Sequence, residues 1–177
     1  DAYILPPSLY DEDDDCIVME DHWGCKGSFA YLDATVLVFD KGGKNIGEID
    51  FNDRSWTGAK DLHGEPVITH SGDVLDETGT KGSHIVTIFP RRMPNNAHML
   101  IFMVSAYSGK LDRFDKPFIV LKEKEGAEIC RYRCTEESKG SWKKKNGIMV
   151  ARKPETILAQ RAGGIWCVVC SCADLLD

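Results

Sequence analysis

The segment "THSGDVLDETG", Thr69 to Gly79, sets Asp73, Asp76 and Glu77 within five positions between two apolar runs. Calcium is held by about six to eight oxygens drawn from carboxylates, carbonyls and water. A loop with three carboxylates, and with Gly72 and Gly79 to let its carbonyls turn inward, can supply part of that shell. One loop seldom closes the shell, so a carboxylate from elsewhere is required. Asp33, in "YLDAT", opens an expected strand and is one source; Asp53, in "FND", closes another. Asp33, Asp73, Asp76 and Glu77 are therefore the candidate metal ligands. The competing reading is that an acidic turn serves solubility alone.

Other chemistry fits less well. His70, Ser71 and Asp73 are near neighbours in sequence, whereas a catalytic triad needs the imidazole between the hydroxyl and the carboxylate in space. Adjacent residues of a strand face opposite ways, and no Gly-x-Ser-x-Gly elbow occurs. The run "DEDDDC" invites an EF-hand register from Asp11, but Cys16 then falls where Gly is required and His22 where the bidentate Glu is required. Cys167, Cys170 and Cys172 in "CVVCSC", with Cys130 and Cys134 in "CRYRC", have spacings that suggest zinc. In an extended strand, however, Cys167 faces away from Cys170 and Cys172, so buried reduced thiols are the expectation. No phosphate-cradling glycine loop is present. No catalytic residue is assigned, and the chain reads as a non-enzyme.

The elements that must position these residues are strands. "CIVM", "ATVLVF", "IGEIDF", "PVITH", "HIVTIF", "MLIFMVSAY", "PFIVLK", "AEICRYR", "GIMVAR" and "GIWCVVC" are short, rich in β-branched or aromatic residues, and bounded by turn formers or charges. "DKGGKN" is a hairpin turn. "FPRRMPNNAH" has room for one helical turn, and "ETILAQR" is ambiguous between helix and strand. About ten strands and little helix indicate an all-β, antiparallel sandwich or barrel. "MLIFMVSAY" and "GIWCVVC" are apolar on both faces, so their outer face is expected to be covered by terminal segments or by a protein partner.

The chain of 177 residues suits one domain. The expected division is an acidic N-terminal extension over 1–15, a β-domain over 16–172 and a tail over 173–177. The formal net charge of −6 comes from the head: the first 21 residues hold eight acids and no Lys or Arg, leaving 20 acidic and 22 basic residues for the other 156. That nearly neutral body, with basic residues gathered only in "SKGSWKKKNG", argues against a nucleic-acid surface. No apolar run is long enough to span a membrane. Seven cysteines cannot all pair with one another, which favours a reduced, intracellular compartment, cytoplasmic or organellar. Because the first residue is Asp, the start of the chain is expected to be missing or processed.

Taken together, the motifs resemble the tellurium-resistance TerD family. "YLDATVLVFDKGGKNIGEIDFND" is similar to that family's "DLDAS" strand, hairpin and "FxNN"-type strand end, and "VITHSGDVLDETG" to its "HTGDN-x-TG-EG" loop. "MEDHWG" stands at the family's Gly-Trp-Asp turn. "HMLIFMVSAY", "PFIVLKEKEGAEICRYRCTEE" and a closing Gly-x-Trp strand follow in family order, so the likeness runs over residues 16–172. It implies a β-sandwich of two sheets, calcium held by acidic loops near one end, a role in stress response and toxic-anion resistance, and no established enzymatic activity. By position, Asp33 matches the second Asp of the family's Asp-Leu-Asp, and Asp73 the Asp of its Gly-Asp-Asn.

The sequence also departs from the pattern. Tyr31 replaces the first Asp of Asp-Leu-Asp, Val74 replaces the Asn after Gly-Asp, and Thr80 to Ser83 replace an acidic run, with Lys81 a cation among the expected ligands. With the acidic head and the cysteines, these departures look like a divergent, eukaryotic member with a thinned calcium site. Three functions follow as expectations: a calcium-binding, stress-response module; a structural or docking subunit with weakened or lost calcium binding; and a small-ligand module, for which amoebal cyclic-AMP-binding relatives are the precedent. The last is ranked lowest because no phosphate cradle is present.

Overall fold

The alternation of apolar and polar residues in the sequence becomes an alternation of burial. In β2 (Ile17–Cys25) the buried positions are Ile17, Met19, Asp21 and Trp23; in β3 (Leu32–Phe39) they are Leu32, Ala34, Val36 and Val38. β8 (Lys81–Ile88) buries Gly82, His84, Val86 and Ile88, and β9 (Met99–Ala106) buries Leu100, Phe102, Val104 and Ala106. A period of two puts each set on one face of its strand, and two such faces close a sandwich core. The structure is a computed structural model describing residues 2–4, 12, 14–25, 30–58, 64–107, 113–133, 143–145, 148–150, 155–162 and 165–171, with the strands after Arg131 described by backbone path and register.

The first sheet contains β1 (Ala2–Ile4), β15 (Ile165–Ser171), β14 (Glu155–Ala162), β9, β3 and β4 (Asn45–Ile49), in that order. The second runs β11 (Glu128–Arg133), β10 (Phe114–Glu123), β2, β8, β6 (Ile68–His70) and β5 (Ser55–Trp56), with β7 (Val74–Leu75) also paired to β8. A separate hairpin joins β12 (Lys143–Lys145) and β13 (Ile148–Val150). All pairings are antiparallel. The expected all-β sandwich of two sheets is thus observed. The short β5 and β7 have no counterpart among the expected strands. "ETILAQR" resolves as strand β14, and the helical turn is a single 3-10 turn over Pro90–Arg92. Within the expected N-terminal extension, Ala2–Ile4 pairs with β15.

The core joins both sheets through Met19, Trp23, Leu32, Val36, Ile49, Ile68, Val86, Phe102, Ile119 and Leu121, among others. Trp23 closes one end of it. Its indole N–H donates to the Ala30 carbonyl at 3.1 Å, and its ring lies on Gly82, where an added Cβ would overlap the indole. Gly82 is required by that close approach. The contact also brings the end of β2, the start of β3 and the start of β8 to the same end of the sandwich. The Thr69–Gly79 loop emerges at this end.

Among the described residues no helix is long and apolar enough to cross a membrane. The outward side chains of β9, Met99, Ile101 and Met103, are half-buried, as are Leu37 and Phe39 beside them on β3. The β9 part of this face was legible in the sequence; Leu37 and Phe39 were not singled out there. The matching face of β15 has side chains outside the described residues, as do Cys134, Cys167, Cys170 and Cys172 and most of "SKGSWKKKNG". Cys16 and Cys25 are free thiols.

Candidate cation site at the acidic end of the sandwich

Two inward positions at this end carry ionisable side chains. Asp21 on β2 and His84 on β8 are both fully buried and are paired in the strand register. His84 Nδ1 lies 3.0 Å from Asp21 Oδ1 and 3.2 Å from its Oδ2, and the His84 backbone N–H also donates to Oδ1. On the other side, His84 Nε2 is 2.7 Å from Asp73 Oδ1. A carboxylate cannot donate, so both ring nitrogens are best matched as donors, which describes an imidazolium. Burial pulls the His84 pKa down, but the hydrogen bonds and charges of Asp21 and Asp73 reverse this and leave it raised. The result is a carboxylate–imidazolium–carboxylate chain running from the core to the Asp73 loop.

The loop between β6 and β7 is built to hold Asp73 there. Gly72 sits at φ +75°, a left-handed conformation that suits glycine. Its N–H donates to His70 Nδ1 at 2.8 Å. Ser71 exchanges backbone and hydroxyl contacts with Ile85: Ser71 N–H donates to the Ile85 carbonyl, and Ser71 Oγ accepts from Ile85 N–H. His70 is buried, its ring centroid 5.0 Å from that of His84. Burial and then the His84 charge lower its pKa, so it stays neutral with Nδ1 as the acceptor. Its Nε2 has no hydrogen-bond partner among the described residues.

Asp33 opens β3 between the inward-facing Leu32 and Ala34 and is half-buried. Its carboxyl is pushed up to about 6, first by burial and then by the charges of Asp73, Asp50 and Asp21, with His84 opposing. Asp50 follows β4 and uses Oδ1 to accept the N–H groups of Asn52 and Asp53. Four carboxylates from both sheets therefore share one end with one buried imidazolium among them. Mutual repulsion of this kind favours a bound cation.

The predicted ligands are only partly brought together. Asp73 bonds to His84 rather than to Asp33. Asp76 turns away to cap its own loop: its carboxylate accepts from the Thr78 hydroxyl and from the Thr80 and Lys81 N–H groups. These bonds hold its pKa below the ordinary value, the Lys81 N–H contributing most. Glu77 is exposed in the same turn, and Asp53 is exposed on the loop after β4. Among the described residues no three His, Cys, Asp or Glu side chains form a ready-made cage. Asp33, Asp50 and Asp73 are near enough to one another for the charges of Asp73 and Asp50 to act on Asp33. Asp21, His84 and Asp50 were not identified from the sequence. The available signal was a polar residue at an inward position, His84 between Gly82 and Val86 and Asp21 between Met19 and Trp23.

No protein-family model matches the chain. Over 108 residues it is 30% identical to the tellurium resistance protein TerZ of Serratia marcescens, an alignment covering 60% of this chain and 52% of that protein. The chain thus spans about half the length of the curated relative it matches. The structure superposes on a homologue of the telluride resistance protein TerD, SCO6318 from Streptomyces coelicolor A3(2). The TM-score is 0.58 at 15% identity, over 91% of this chain and 92% of that one. The chain has a TerD-like fold. A protein of unknown function, SAV2460, shares the TerD-like fold with a TM-score of 0.63 at 14% identity, over 92% of this chain and 90% of its own. The β3 strand with Asp33 and the loop with Asp73 come to the same end of the sandwich.

Proposed function

We propose that this TerD-like domain is a non-enzymatic, calcium-binding module of the tellurium-resistance and stress-response type, acting through its acidic end. The observation that carries the proposal is the convergence of Asp33, Asp50 and Asp73 beside the buried Asp21–His84 pair. Burial and these neighbouring carboxylates raise the Asp33 carboxyl to about 6. That charge is unfavourable in the metal-free domain and is relieved by a cation. Asp33 and Asp73 are the ligands, with Asp50 in support. Asp76 and Glu77 contribute only if their turn opens, because Asp76 is already satisfied by its own loop.

The absence of a closed cage among the described residues and the imidazolium beside Asp73 both point to weak binding. Affinity rises with the number of charged ligands and falls with nearby positive charge. Native mass measurement and thermal unfolding, with and without millimolar calcium, test the reading. One bound ion and a rise in Tm are expected, both lost in Asp73→Ala. No bound ion and no shift would sink it. A second reading is a docking subunit that has lost strong calcium binding. It is favoured by the apolar outer face of Leu37, Phe39, Met99, Ile101 and Met103. A calcium-independent oligomer in the same measurement would select it.

A further inference from the structure

We propose that Arg54 is a positioning residue for the Asp73 loop, acting through Gly72, and that it thereby sets the affinity of the cation site. For its effect on calcium the inference rests on the function proposed above; its geometry is independent of that reading.

Arg54 leaves a turn that is itself fixed. Asp50 Oδ1 accepts the N–H groups of Asn52 and Asp53, and the Asp50 N–H donates to the Asp53 carbonyl. The Arg54 carbonyl then accepts the His70 N–H at 2.9 Å, which ties the turn after β4 to the end of β6. Its side chain is held twice. Nε donates to the Phe51 carbonyl at 2.9 Å, and the guanidinium carbon sits 4.6 Å from the centroid of the Phe51 ring. So held, the guanidinium lies against the bare backbone of Gly72. A Cβ added there would fall 2.6 Å from both Cζ and a terminal nitrogen.

Gly72 is the pivot of the loop. With φ at +75° and no side chain, it has more conformations open to it than any other residue type would have. His70 Nδ1 holds its N–H, and the planar guanidinium blocks its exposed side. Asp73 is the next residue, and its reach to His84 depends on that turn being kept. Arg54 is thus a wall and a brace for the loop, added to the bonds that His70 and Ser71 already make.

Its charge has the opposite influence. A cation near a calcium site repels the ion, so charge alone predicts that removing Arg54 tightens binding. The guanidinium is exposed, however, and exposed charges are screened within about 8–10 Å at moderate ionic strength. The contact with Gly72 is steric and is not screened. Lysine cannot replace it, because an ammonium on a flexible stem offers no plane to lie on the backbone.

Amide hydrogen exchange of the calcium-free protein and calcium titration, on Arg54→Ala, Arg54→Lys and Phe51→Leu, test this. Exchange over residues 71–75 should quicken about two- to five-fold in Arg54→Ala, the factor expected for losing an exposed cation–π contact and its packing. Protection in β2 and β9 should not change. The calcium Kd should rise by a similar factor. Arg54→Lys should behave like the alanine variant, and Phe51→Leu should fall between. Unchanged exchange in the loop, tighter calcium binding in Arg54→Ala, or full recovery by lysine would each overturn the proposal. If the unaltered protein binds no calcium, the cation reading falls, and the exchange measurement still decides the role of Arg54.

Discussion

His84 shows what a single residue contributes at this end of the domain. It is fully buried, carries a raised pKa, and is bonded on both ring nitrogens to carboxylates. Removing one partner leaves a buried charge uncompensated, which costs far more than an exposed ion pair returns. Asp21→Ala should therefore destabilise the domain by about 3–5 kcal/mol, measured by urea unfolding at a pH where His84 is charged. The sign with pH follows from linkage. A histidine raised in the fold contributes stability that is fully present below its ordinary value of 6.5 and is lost as pH rises through the folded value. The penalty of Asp21→Ala should accordingly shrink as the pH rises above that folded value. A penalty that grows with pH would show that His84 is buried neutral. At this scale the sequence was only half legible. Asp33 and Asp73 were visible as motif residues. The Asp21–His84 pair lies 63 positions apart and becomes a pair only through the register of β2 and β8.

The elements were read more fully, because a period of two survives in almost every long strand. What could not be read were pieces too short to have a period. β5 and β7 are two residues each. Close packing between strands was also hidden, since glycine has no hydropathy signature that marks a neighbour. Gly82 and Gly47 both lie under indoles. Trp23 over Gly82 is 3% exposed and its N–H is committed to Ala30, so it has nowhere to move. Trp56 over Gly47 is half-buried on the edge strand β5 and can swing outward. Overpacking a fixed site costs about 1–3 kcal/mol. Gly82→Ala should cost near the top of that range and Gly47→Ala near the bottom. Thermal unfolding of the two variants checks the order, and equal losses would show that Trp23 has more freedom than its hydrogen bond implies.

Across the whole molecule, the acidic end sets stability against binding. Asp33 is raised from 3.8 to about 6, mainly by burial and then by neighbouring carboxylates. The fold thus holds its proton more tightly than the unfolded chain does. That advantage is fully present below pH 3.8 and is lost as pH rises through 6, so above pH 6 a charged Asp33 is a net cost. Asp33→Asn should remove that cost. After allowance for solvent screening at this half-buried position, the metal-free variant should gain roughly 1–2 kcal/mol at about pH 7.5 and nothing near pH 4. With calcium the sign should reverse. A ligand at about 100 times its Kd adds about 2.7 kcal/mol to the protein that binds it, and a variant without the Asp33 carboxylate forfeits most of that. Denaturant unfolding at the higher pH, with and without calcium, should therefore reverse the order of the two proteins. Asp33→Asn is the more stable protein without the ion and the less stable one with it. If the variant is no more stable without calcium, Asp33 is not the strained carboxylate at this end. If it keeps the full calcium increment, Asp33 is not a ligand, and the acidic charge there serves the fold alone.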